Sequence, residues 1–76
     1  MPTVLRHQGF RVVVYPNDHR PPHVHVFDAD GEAVIELEPV VPRESFGMRE
    51  KNVVRAFSLV AENQEFLFAK WRKIHG

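Results

Sequence analysis

Three histidines stand within one short motif, His19-Arg20-Pro21-Pro22-His23-Val24-His25, in a chain of 76 residues that has no cysteine. Imidazole supports two kinds of chemistry. Its lone pair binds divalent metals, and its titration near neutral pH lets it give and take protons. His23 and His25 lie two apart. On a strand both side chains leave the same face, roughly 6.5–7 Å apart along it. His19 precedes a stiff Pro-Pro step from which it can fold back toward the other two.

Three readings of this cluster stay open. In the first, His19, His23 and His25, with Glu36 and Glu38 facing them, hold zinc or another divalent first-row metal. A His-x-His pair on a strand is a chelating geometry, but it is not diagnostic alone. In the second, His23 and His25 act as acid and base on RNA while Arg6 and Arg11 stabilise the developing charge. Carboxylates opposite the histidines count against this reading, because they repel phosphate and favour the protonated imidazoles. In the third, the motif is a solvated sheet face whose His–Glu pairs contribute roughly 0.2–1 kcal/mol each. Arg6 and Arg11 have an equally plain alternative, as solvated arginines whose stems cover apolar surface or whose heads pair with acids of the same sheet. Tyr15 is either a site hydroxyl or a half-buried strand end.

The elements that position these residues are readable from alternation and turn signals. Val4-Leu5-Arg6 and Phe10 to Tyr15 flank His7-Gln8-Gly9, which predicts a hairpin with Gly9 at positive φ. If it turns at Gln8-Gly9, Arg6 lies opposite Arg11. The prolines of Pro16 to Pro22 interrupt regular structure. His23 to Asp28 alternates, Asp30-Gly31 signals a turn, and Glu32 to Glu38 alternates until Pro39. A two-residue turn at Asp30-Gly31 pairs Val26 with Ile35, Val24 with Leu37, His25 with Glu36, His23 with Glu38 and Phe27 with Val34. Pro39 to Phe46 reads as a connector. Gly47 then caps a helix with Glu50 at its third position. Val53, Ala56, Phe57, Val60 and Ala61 recur at helical spacing, as do Leu67, Trp71 and Ile74, and Asn63 separates the two sets. The fold expected is α+β in a single domain, 1–76. Two β-hairpins within 1–39 form a small antiparallel sheet, and one or two helices within 47–75 pack on one face.

Composition narrows the function classes. With 43% hydrophobic and 26% charged residues the chain is globular rather than disordered. Without cysteine there is neither a disulfide nor a thiolate, which suits a reducing cytoplasm. No apolar run approaches the roughly 20 residues of a membrane span, and Met1 to Arg6 lacks the features of a signal peptide. Net charge is zero but uneven: residues 28–50 carry seven acids against Arg43 and Arg49. That balance does not favour non-specific nucleic-acid binding.

Met1-Pro2-Thr3-Val4-Leu5-Arg6, Gly9-Phe10-Arg11, Asn17 to Val26 and Trp71 together resemble the bacterial family catalogued as domain of unknown function 4160. The His-x-Pro-Pro-His-x-His core is the most specific part of the likeness. The family commonly carries Glu at the position of Asp18, and Ser or Thr at that of Gly47. The resemblance implies a small component of a toxin–antitoxin-type gene pair and brings no catalytic residue with it. Phe46, Phe57, Phe66, Phe68 and Trp71 crowd the last third, with Phe68 expected off the face of Leu67, Trp71 and Ile74. One or two surplus aromatics suggest a protein partner or a homodimer.

Overall fold

Gln8 and Gly9 both adopt left-handed φ, +48° and +86°, as a two-residue hairpin turn of matching twist requires. In the computed structural model, which describes residues 3–75, they join β1 (Thr3–His7) to β2 (Phe10–Val13). His7 pairs with Phe10 and Arg6 with Arg11, the register expected from a turn at this place. A register shift nearer the start then sets Thr3 opposite Val13.

The chain loops through residues 14–22 into β3 (His23–Phe27), which pairs antiparallel with β2, Val13 facing His25 and Arg11 facing Phe27. It continues into β4 (Glu32–Leu37) through a longer turn than the predicted Asp30-Gly31 pair. Asp28 is the cause. Its Oδ1 accepts the backbone N–H groups of Asp30 and Gly31, both at 2.8 Å, and its own N–H donates to the Gly31 carbonyl at 3.1 Å. Such an Asx-type turn absorbs four residues. The partners therefore slide by two from the predicted register. Val24 faces Ile35, Val26 faces Ala33, His23 faces Glu36, His25 faces Val34 and Phe27 faces Glu32. A slide of two keeps every side chain on its expected face.

Asp28 Oδ2 also accepts from Asn52 Nδ2 at 2.9 Å, tying the turn to the first helix. Burial works against the charged form, but the bonds from Asn52, Gly31 and Asp30 outweigh it and hold this carboxyl below its ordinary value of 3.8.

A fifth strand, β5 (Val40–Phe46), occupies the stretch expected to be a connector. Glu38 and Pro39, joined by a cis peptide, make the turn, and Leu37 pairs with Val40. Pro42 is compatible with a strand here because β5 is the sheet edge, and a register shift around Arg43 opens the ladder locally. The order β1-β2-β3-β4-β5 is thus a five-stranded meander, not two hairpins. The α+β class is as expected.

Gly47 is not the helix cap. It takes φ +73° and bridges to Glu32, while Arg49 caps α1 (Glu50–Glu62) without a side-chain bond. Glu50 is consequently the first helical residue rather than the third. The chain breaks at Asn63, as expected, and Asn63 Nδ2 donates to the Leu59 carbonyl at 2.8 Å. Gln64 begins α2 (Gln64–His75) and anchors it by donating from Nε2 to the Leu37 carbonyl at 2.7 Å.

Both helices cover one sheet face. Phe10, Val12, Val14, Val24, Val26, Ala33, Ile35 and Leu37 meet Ala56, Leu59, Val60, Leu67 and Trp71. Each large side chain fully buried here contributes about 1.5–3 kcal/mol. Ala61 is exposed, Leu59 takes a core position, and Phe68 packs half-buried against the core rather than pointing away. No helix among the described residues is long and apolar enough to cross a membrane.

Candidate metal centre

Strand alternation sends His23 and His25 to the face the helices leave free, with Val13, Val34, Glu32, Glu36, Arg6 and Arg11. That face is not bare around the histidines. Tyr15 rests its ring edge-on to His25, with centroids 4.7 Å apart, and the loop that follows turns back over the strand. Asp18, whose N–H donates to the Tyr15 carbonyl at 3.2 Å, arrives between the two imidazoles. His23 is consequently only 5% exposed.

The contacts form one continuous chain. His23 Nδ1 donates to the Pro21 carbonyl at 2.8 Å. Asp18 Oδ2 stands 3.1 Å from His23 Nε2 and 2.9 Å from His25 Nε2. His25 Nδ1 lies 2.6 Å from Glu32 Oε2. The two rings meet at 64° with centroids 5.2 Å apart.

A carbonyl only accepts, so His23 carries its Nδ1 proton. In the neutral ring its Nε2 lone pair then points at a carboxylate oxygen. Both nitrogens of His25 also face carboxylates, and a neutral ring offers one proton for two acceptors. A proton or a metal ion between each Nε2 and Asp18 satisfies these contacts. One ligand atom each from Asp18, His23 and His25 lies within 4.8 Å of the others. Each Nδ1 is held by a second acceptor, the Pro21 carbonyl or Glu32, which is how metal-binding imidazoles are oriented.

The other residues expected at a site are placed differently. His19 is exposed and outside this group of ligand atoms. Glu36 stands opposite His23 in the ladder, but its Oε2 accepts from Arg43 Nε at 3.2 Å. Glu38 is exposed in the turn after β4. Arg6 and Arg11 share the histidine face in an adjacent cross-strand row. Arg11 donates from Nη1 to Thr3 Oγ1 at 3.4 Å and lies 4.9 Å from the centre of the Phe27 ring. Asp18 and Glu32 are the functional candidates that pattern reading misses. Glu32 was hidden by the two-residue slide. Asp18 is visible as an acid beside the motif, but its approach to His23 and His25 is a property of the folded loop.

These features define a small α+β protein with a five-stranded meander, helices on one face and a histidine–carboxylate centre on the other. The chain belongs to the DUF4160 family, a domain of unknown function, whose profile matches residues 9–72. No match was found among curated proteins or among solved structures.

Proposed function

We propose that this chain is a divalent-cation-binding protein, with Asp18, His23 and His25 as the ligands. One observation carries the reading. Two imidazole Nε2 atoms converge on a single carboxylate oxygen at 3.1 and 2.9 Å while both Nδ1 atoms are occupied elsewhere. Two nitrogens and one oxygen suit zinc or another divalent first-row metal. Three protein ligands leave a position for water or substrate, as catalytic rather than structural sites do. A cation of this class supplies a Lewis acid and a bound water that ionises near neutral pH. The test is competition between the metal-free protein and a chromogenic chelator for zinc and cobalt. One equivalent should bind, and His23→Ala and His25→Ala should each abolish it. Failure of the folded parent to take up either metal overturns the reading.

A second reading is a protein–protein component of a toxin–antitoxin-type or similar regulatory pair. Its support is apolar surface left open by the fold. Phe46 is 56% exposed, Val54 60% and Phe66 44%, and Val54 also lines a hollow with Pro42, Val53 and Phe57. Co-expression with the product of an adjacent gene tests it. A stable complex weakened by Phe46→Ser or Val54→Ser is expected, and separate elution of the two proteins counts against it.

A further inference from the structure

Arg6 and Arg11 are direct cross-strand partners on the helix-free face. His7 and Phe10 close the two-residue turn, so the arginines occupy the next pair, where strands do not hydrogen-bond and Cα atoms are about 4.5 Å apart. Like charges so placed oppose folding. Among the described residues neither guanidinium has a carboxylate oxygen within ion-pair distance. Three acids of this face are committed elsewhere, and Glu44, opposite Val34, stands on the far edge strand. Asp18 serves both histidines, Glu32 is turned onto His25 Nδ1, and Glu36 holds Arg43.

Arg11 is also held in place. Its Nη1 bond to Thr3 and its position over the Phe27 ring fix the planar head, leaving further N–H groups free. Arg6 is exposed and free to close from the other side. Two forked donors around one point match the oxygens of a phosphate, which each guanidinium can contact bidentately. The row lies one step from the histidines, because Arg11 faces Phe27 and Val13 faces His25. That step is roughly 7 Å along the strand.

We propose that Arg6 and Arg11 form a phosphate-binding subsite, and that the ligand is a phosphate ester whose far end reaches the cation centre. The subsite rests on the arginine pair alone. Only the reach to His25 rests on the metal reading.

The experiment titrates inorganic phosphate and pyrophosphate into metal-free protein, followed by phosphorus NMR and by the arginine Hε resonances. Saturable binding is expected, with the Arg6 and Arg11 Hε signals shifting. Arg6→Gln should weaken it at least tenfold while circular dichroism stays that of the parent. Arg6→Lys, which keeps charge without the fork, should recover only part of the loss. His23→Ala should leave this binding intact, which separates failure of the subsite from failure of the metal centre. Absence of saturable binding, or equal affinity in Arg6→Gln and the parent, overturns the proposal.

Discussion

Asp18 Oδ2 lies 2.9 Å from His25 Nε2, and the two residues are separated by a loop that includes Pro21 and Pro22. This contact adds a carboxylate to a His-x-His pair on a strand, since the same oxygen also meets His23. A proton or a metal ion at each Nε2 satisfies these contacts, and the proposed metal site takes the second option.

Asp18→Asn keeps the size of the side chain and removes its charge. Zinc affinity should fall at least tenfold, because a neutral amide oxygen is a poorer ligand than a carboxylate. Glu32→Gln, one bond removed from the ligands, should cost roughly 10–100-fold, the range for residues that orient a metal-binding histidine. Chelator competition measures both. Unchanged affinity in Asp18→Asn would remove Asp18 from the ligand set.

His23 also supports the fold, because it is almost fully buried and bonded to the Pro21 carbonyl. His23→Ala should lower stability in metal-free urea unfolding by about 1–3 kcal/mol, the cost of leaving a buried polar group unpaired. A variant as stable as its parent would show that the loop is held without this bond.

Gly31 lies directly beneath the end of β5. A Cβ built there would come within 2.1 Å of the Phe46 carbonyl oxygen and 2.5 Å of the Met48 nitrogen, both backbone atoms. Gly31→Ala is therefore expected to destabilise by about 1–3 kcal/mol or more, as overpacking does. Amide exchange should quicken first along Val40–Phe46. Uniform exchange rates with unchanged stability would contradict the close approach.

Asp28 gives the protein an acid limit. Its folded-state carboxyl lies below 3.8, so the unfolded chain takes up this proton first as pH falls. Its contribution is complete above about pH 5, shrinks as pH falls through the unfolded value and is lost below the lower folded value. Denaturant unfolding between pH 5 and pH 2 should show the gap between parent and Asp28→Ala narrowing with acid. A gap independent of pH would mean that the turn bonds are insensitive to the charge of Asp28.

Local signals suffice for much of this fold. Gln8-Gly9 sets the first turn and hence the Arg6–Arg11 pairing, because a two-residue loop leaves one register. Alternation assigns His23 and His25 to one face and Val24 and Val26 to the other, and period 2 survives even the slide introduced by Asp28. Asn63 marks the break between helices because its side chain competes for the Leu59 carbonyl. These are effects of a few neighbouring residues on their own backbone.

Contacts between distant elements decided the rest. β5 is mostly exposed and interrupted by Pro42, so it has no apolar pattern of its own and exists because β4 offers it a ladder. The length of the β3–β4 turn depends on which acceptors Asp28 satisfies, and one of its donors, Asn52, comes from α1. The site follows the same division. Its histidines are legible as a pair because strand geometry is periodic, whereas Asp18 and Glu32 join them only through a folded loop and a settled register. A loop carboxylate has no periodicity to reveal its destination, and only the packed chain brings it to the imidazoles.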